Sequence, residues 1–298
     1  MATDVRTGIL TKEEYLNSAR IMYSPVILAL QNREIHNVDV SKAKFKEINV
    51  DSDSIVAEIL TKEATEKAHI KARGFEKTFN IFVKGAKFIK SLADGGIVDL
   101  QKVHNKVLRE YMILFDKDGL HGDGGNNGLL SSSDPFYITN NSHEVPAVAA
   151  ATESTAAVTA FDRVQDLNVL MNDLKIQVAN KTSSQDVKIF VYGDDLIKFM
   201  GSITEDNETT VRDILKKAYP EAMFIEIPSL ALNAGDGNGF IVVSDDCTTL
   251  HLTTEPTIKK QGENEEDEYY YANYITGSLQ VTPDLEGAVI KQPITFAS

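Results

Sequence analysis

The chain carries a single cysteine, Cys247, in 298 residues. One thiol excludes an intrachain disulfide framework and fits a reducing interior. No apolar run approaches the roughly 18 residues needed to cross a bilayer, and the opening MATDVRTGILTKEEY lacks the basic-then-apolar order of a secretion signal. The expectation is a protein that does not engage a membrane. Basic residues are also short: 30 Lys and Arg stand against 44 Asp and Glu, a formal charge of −14. A protein that grips nucleic acid phosphates needs the opposite sign. No internal repeat is visible at any fixed period.

Catalytic chemistry is equally sparse. The six histidines, His36, His69, His104, His121, His143 and His251, show no H-x-x-x-H or H-E-x-x-H spacing, so no zinc site is indicated. There is no G-x-S-x-G nucleophile elbow, and Cys247 follows two acids, which raise a thiol pKa instead of lowering it. Tyr192-Gly193-Asp194-Asp195 spells YGDD, the metal-binding turn of RNA-dependent polymerases. Those enzymes hold the tetrapeptide in a hairpin of a much longer chain, beside other carboxylate motifs. Here a buried strand precedes it and the two aspartates open a helix, where the helix dipole favours acids. No catalytic, cofactor-binding or metal-binding residue and no cofactor is assigned on these grounds, and the protein is expected not to be an enzyme.

What is present is an ordinary globular composition, 42% hydrophobic and 25% charged, enough for two domains or one elaborated one. The organising stretch is Ile97 to Leu130. From Leu100, apolar residues recur at Val103, Val107, Tyr111 and Leu114, with Leu108 and Phe115 beside them, while Lys102, Lys106, Arg109 and Glu110 take the other face. The spacing predicts a helix of about five turns, roughly 25 Å long. Gly119 is expected to cap its C-terminus in the left-handed region, after Asp116 and Asp118. LHGDGGNNGLL then supplies Gly122, Gly124, Gly125 and Gly128 with Asp123, Asn126 and Asn127, a composition suited to backbone passing close to something else. Phosphate-binding glycine loops open a helix, and this one closes a helix. Asp116, Asp118 and Asp123 lack the ligand ladder and closing Glu of a calcium loop, so a solvated turn is expected.

In chain order, residues 1 to 10 read as an arm. Thr11 to Asn32 reads as a helix with Thr11 as N-cap and Glu14 at the capping-box position; it is broken at Pro25 and resumes in VILALQ. Asn49 to Phe88 reads as a long, sparsely apolar two-stranded excursion, alternating at Ala68, Ile70 and Ala72 and again at Phe79, Ile81 and Val83. A lone hairpin is marginal in water, so this one needs a surface to lie on. A short strand is expected at FYIT, and a boundary between lobes at Ala147 to Thr155. The second lobe alternates. Ala156 to Ala179 is a helix with Phe161, Val164, Leu167, Leu170, Met171, Leu174 and Val178 on one side, and VKIFVYG is a buried strand. DDLIKFMG and TTVRDILKKAYP are helices, and MFIEIP, GFIVVSDD, CTTLHLTT and YYYANYITGSLQV supply further strands.

Charge is unevenly spread. Arg33 to Lys90 holds 12 Lys and Arg against 9 Asp and Glu, a balance of +3, whereas Glu153 to Ser298 holds 11 against 24, a balance of −13. Such asymmetry invites the basic segment of one copy onto the acidic region of another, and it suits equally two solvated surfaces.

From Val50 to the C-terminus this order of parts resembles the major capsid protein of tailed bacteriophages, a fold shared with encapsulins. LHGDGGNNGLL after the long helix carries the resemblance, with VKIFVYGDDLIKFMGS, TTVRDILKKAYP, MFIEIPSLALNAGDGNGFIVVSDD and GSLQVTPDLEGAVIKQPITFA. It implies an α+β fold: an N-terminal arm at 1–49, an extended two-stranded loop at 50–84, a peripheral domain with a long spine helix at 85–155 and 271–298, and an axial α/β domain at 156–270. The implied function is a self-assembling icosahedral head shell around double-stranded DNA, built of hexamers and pentamers, assembled in the bacterial cytoplasm and residing in the virion. DNA would be enclosed without sequence-specific binding. About fifty residues precede the excursion, too few for the cleaved scaffolding segment of some members, so a separate scaffolding protein or none is expected. Portal and decoration proteins are further partners of the family's kind. Some members crosslink through a loop lysine; Lys62, Lys67, Lys71 and Lys77 are available and nothing selects one. The alternatives are an encapsulin-type nanocompartment shell and a metal-dependent enzyme acting through YGDD.

Overall fold

A computed structural model describes residues 25–35, 44–50, 74–80, 83–91, 100–122, 126–131, 134–150, 157–203, 209–252, 257–263, 267–276 and 279–297. The chain divides into two compact units, each drawn from three stretches: Met1–Phe45, Phe79–Ser131 and Leu250–Val281 in the first, Lys46–Thr78, Ser132–Thr249 and Thr282–Ser298 in the second. Helices α1 (Leu100–His121), α2 (Ala160–Lys181), α3 (Asp194–Met200) and α4 (Val211–Ala218) are accompanied by fourteen described strands.

In the first unit, β1 (Arg33–Ile35) runs parallel to β10 (Thr248–Leu252), with Glu34 opposite His251, and β13 (Leu279–Pro283) completes that sheet. A second antiparallel sheet has the order β11 (Thr257–Glu263), β12 (Asp267–Thr276), β4 (Val83–Ser91). Its register sets Tyr270 opposite Phe88 and Ala272 opposite Ala86. TIKKQGE, now β11, did not announce itself as a strand, because Ile258 is its one apolar residue and its pairing comes wholly from β12. β2 (Lys44–Val50) and β3 (Gly74–Asn80), most of whose residues belong to the second unit, pair with each other, so the excursion's first described strand lies on the N-terminal side of Val50. The expected alternation at Ala68, Ile70 and Ala72, the arm at residues 1 to 10 and the helix from Thr11 to Ser24 lie outside the described residues.

The second unit is built on a sheet of order β5 (Tyr137–Thr139), β14 (Val289–Phe296), β9 (Asn238–Ser244), β7 (Val187–Tyr192), β8 (Ala222–Glu226), with β6 (His143–Val145) also pairing with β14. β7 is parallel to β8 and antiparallel to β9, which is antiparallel to β14. One row across it reads Phe224, Ile189, Val242, Ile290, Ile138. Side chains alternate along a strand, so this row and its neighbours two residues away share one face. That face meets Leu167, Met171, Leu174 and Val178 of α2, Leu196 and Met200 of α3, and Val211 and Leu215 of α4. Every residue of β7 is buried, as its apolar run predicts for a strand covered on both faces, and its one charged residue, Lys188, is buried with them. Residues 289–296, which the resemblance groups with the peripheral return, form the strand between β5 and β9. FYIT, VKIFVYG, DDLIKFM, VRDILKKA, AMFIE and GFIVVS all adopt the elements their patterns predict.

Three expectations need correction. α1 does not stop after Phe115; it continues through Asp116, Asp118 and Gly119 to His121. VILALQ does not resume a helix but makes one 3-10 turn at Ile27–Ala29, after which Leu30 is extended at φ −66°, ψ 125°. Phe161 leaves the apolar side of α2 and is 54% exposed, while Val164, Leu167, Leu170, Met171, Leu174 and Val178 are buried as expected.

Candidate functional site

The reason α1 runs on is Asp116. Its side chain is buried, and its two carboxylate oxygens accept hydrogen bonds from the backbone N–H groups of Val26 (2.9 Å) and Ile27 (3.0 Å). The residue expected in a solvated turn is therefore the anchor for a segment 90 residues away. A carboxylate accepting two N–H bonds is a charge-assisted contact, stronger than a neutral one. Gly119 serves the same junction: a Cβ there would lie 2.5 Å from Cγ1 of Ile27. It is a close-approach glycine inside the helix, not its cap. The side chains of Leu100, Val103, Val107, Leu108 and Tyr111, the upper part of the expected stripe, lie outside the described residues.

The left-handed cap sits three residues later. Gly122 has φ +73°, and its N–H donates to the Asp118 carbonyl at 2.8 Å, the αL closure of a helix. The chain then folds back: the N–H of Leu129 donates to Gly119 O (2.9 Å) and that of Leu130 to Leu120 O. These carbonyls would otherwise lack an intrahelical partner. A Cβ on Gly128 would meet the Gly122 nitrogen at 2.3 Å, which is why glycine is required there. The backbone that LHGDGGNNGLL passes closely is thus its own helix end, and Val281 N–H to Asn127 O (3.1 Å) ties β13 to the same loop. Asp123, Gly124 and Gly125 lie outside the described residues.

YGDD falls where a strand hands over to a helix. Tyr192 ends β7, and its phenol is pushed up to about 12 by burial and then by the charge of Asp236. Gly193 has φ +93°, and a Cβ there would lie 2.2 Å from Oδ1 of Asn238. The same Oδ1 accepts from the Leu196 N–H at 3.2 Å, so α3 is capped from another strand. Asp194 and Asp195 are exposed in the first turn of α3. Among the described residues, no three His, Cys, Asp or Glu side chains converge as metal ligands.

Other charged groups of the second unit are drawn into structural contacts. Lys188 of β7 and Asp245 form an ion pair with both side chains 3% exposed. His143 of β6 meets Asp166 of α2 at 2.6 Å. Arg163 lies 4.9 Å from the Phe199 ring centroid and 5.6 Å from that of Phe296, and the two rings meet edge to face at 5.7 Å. The Cys247 thiol is half-buried and pushed up to about 11, first by burial and then by Asp246. The direction was legible from the adjacent acids; the leading cause was not. In the first unit His251 is buried, with Nδ1 3.7 Å from a Glu34 carboxylate oxygen. His36 and His69, with Lys62, Lys67 and Lys71, lie outside the described residues, as do the side chains of His104 and Lys77.

Compared by sequence, the chain matches no family model and no curated protein. Compared by structure, it is similar to the capsid of the Myoviridae phage XM1, at 13% identity and TM-score 0.61 over 91% of this chain and 92% of that one. It is similar to the capsid of a native GTA particle, at 13% identity and TM-score 0.57 over 92% and 91%. A virus-like particle from Pyrococcus furiosus matches at 12% identity and TM-score 0.56 over 93% and 95%. The shared architecture is a mixed α+β shell-protein fold. This chain has the phage major-capsid fold.

Proposed function

We propose that the chain is a structural major capsid protein that self-assembles into the icosahedral head shell around the double-stranded DNA of a tailed bacteriophage. One observation carries this reading: the likeness to a phage capsid spans 91% of this chain and 92% of the other, so it is a likeness of whole subunits and not of one lobe. The mechanism is geometric. Axial lobes associate into hexamers and pentamers, while the extended loop (50–84) and N-terminal arm (1–49) lie across the peripheral domains of neighbours. The net charge of −14 suits an inner wall that lets packaged DNA slide. The subunit works without catalysis, is assembled in the host cytoplasm and meets separate scaffolding, portal or decoration proteins. The likeness to the Pyrococcus particle favours a second reading, a nanocompartment shell.

Negative-stain images of the purified protein test the class. Hollow shells or capsomer rings are expected; monodisperse single subunits would refute it. Deleting Ile59 to Ala72 should leave a soluble, folded subunit that builds no shells, because a sparsely apolar hairpin does not offset an ordering cost of about 1 to 2 kcal/mol per residue by itself.

A further inference from the structure

The outer face of α2 carries an uncharged stripe. Phe161, Val169 and Ile176 are 54%, 59% and 57% exposed, Gln165 and Asn172 are exposed between them, and Ala179 is exposed beyond Ile176. At 100° per residue these six fall within about 80° of the helix circumference, along about 27 Å of its length. A solvated helix face of this length normally carries lysines, arginines and glutamates. The other exposed helix faces of the unit do: α3 shows Asp194, Asp195 and Lys198, and α4 shows Asp213, Lys216 and Lys217.

The charges of α2 itself are turned to its flanks. Arg163 lies on the Phe199 and Phe296 rings, Asp166 meets His143, Lys175 reaches Glu221 at 3.0 Å and Lys181 reaches Glu286 at 2.8 Å. Asp162 is held in the N-terminal capping box. Asp173 is exposed, about 40° beyond the edge of the stripe. What is left facing outward is three large apolar side chains separated by two amides and followed by an alanine.

We infer that this stripe is a contact surface for a second copy of the chain, packed lobe against lobe; the inference rests on the shell reading and names the surface it uses. Charge selects the occupant. Residues 153–298 hold 24 acids against 11 basic residues, so two copies repel each other wherever their acidic surfaces face. An uncharged stripe is where like-charged copies approach without that cost, and desolvating apolar groups and amides there costs less than desolvating carboxylates. A cationic partner such as a basic peptide is drawn instead to the acidic surface around it.

The test uses the full chain under conditions in which the wild type assembles. Ile176→Asp should lower the assembled fraction, read by sedimentation, at least about tenfold, because every contact would bury an unpaired carboxylate. Its melting temperature should stay within about 2 °C of wild type, since the position is exposed in the single subunit. Gln185→Asp adds the same charge at another exposed position, beyond the end of α2, and should assemble normally. In Gln165→Cys, thiol labelling followed by peptide mapping should be at least about tenfold slower in assemblies than in free subunits, as a contact that excludes water predicts. Normal assembly of Ile176→Asp, equal failure of Gln185→Asp, or unchanged labelling would each overturn the inference while leaving the shell reading intact. Shielding that requires a different protein in the mixture would also overturn it, assigning the stripe to that partner. A wild type that never assembles would remove the shell reading and the inference together.

Discussion

α1 and α2 are each 22 residues long, yet they are specified in different ways. α2 is marked locally at its start: Thr159 is the N-cap, its hydroxyl accepts from the Asp162 N–H, and the Asp162 carboxylate reaches back to the Thr159 N–H. Six apolar residues at helical spacing then bury against the sheet. α1 has no acid in its first turn, and its C-terminal third is fixed from a distance, by the N–H groups of Val26 and Ile27 on Asp116 and by the returning backbone of Leu129 and Leu130. A helix whose limits are written in its own residues can be read from the sequence, although the expected span of Ala156 to Ala179 overlooked the Thr159 cap that starts α2 at Ala160. One whose limits are written elsewhere in the chain cannot.

The comparison breaks first in the core. Leu174→Ala removes a side chain that is 1% exposed and should cost about 3 kcal/mol in denaturant unfolding, whereas Ile176→Ala, two residues on and exposed, should stay within about 0.5 kcal/mol. Equal losses would mean that the helix phase is misassigned.

Asp116→Ala comes next. It strips two buried N–H groups of their acceptor and should cost about 2 to 3 kcal/mol. Hydrogen exchange at Val26 and Ile27 should accelerate with it; unchanged exchange would show that Asp116 is not their anchor.

Gly119→Ala sharpens the contrast, because two effects oppose each other. Alanine favours a helix interior by about 1 kcal/mol over glycine, yet the new Cβ collides with Ile27. A net loss of about 1 to 2 kcal/mol is expected from overpacking, and most of it should vanish in an Ile27→Ala background. A double-mutant cycle with no coupling would remove Ile27 as the cause.

The smallest effect is at the locally written end. Thr159→Ala should cost about 1 kcal/mol. The Asp162 carboxyl is held below the usual carboxylate range by the backbone and side-chain hydrogen bonds of Thr159, and Asp213 by those of Thr210 at the start of α4. Since folding depresses both, their contribution is complete above the ordinary Asp pKa of about 4 and is lost as pH falls through the lower folded values. The melting temperature of Asp162→Asn should accordingly converge on that of the wild type at low pH, and a constant difference down to about pH 2 would contradict the assignment.

The same physics explains what could be read in advance. The strands at Val187, Ala222 and Asn238 and the helices at Asp194 and Val211 follow from apolar runs, acidic starts and threonine caps, all short-range signals. The need for close backbone approach in LHGDGGNNGLL was legible, but which glycine turns left-handed was not, because Gly119 and Gly122 differ only in what packs on them. Asp116 looked like a turn residue, since no local pattern reveals an acceptor whose donors sit 90 residues earlier. Asn238 was hidden for the same reason, capping α3 from β9. Phe161 was grouped with the apolar side of α2, but at 100° per residue it lies about 60° beyond Val164, on the outward stripe with Val169 and Ile176. The signal that was available is the missing charge at Gln165, Val169, Asn172 and Ile176, where a solvated helix would carry lysine or glutamate.

The central claim, that this subunit exists to be repeated, is tested most directly by sedimentation velocity of the intact protein over a range of concentration, at about 0.1 M and about 1 M salt, where screening lengths are about 10 and 3 Å. The account predicts rings of five or six copies and closed particles that grow with concentration, with high salt weakening any basic-to-acidic contacts between copies while the uncharged stripe on α2 persists. A single species of one chain's mass at every concentration and both salt levels would contradict it.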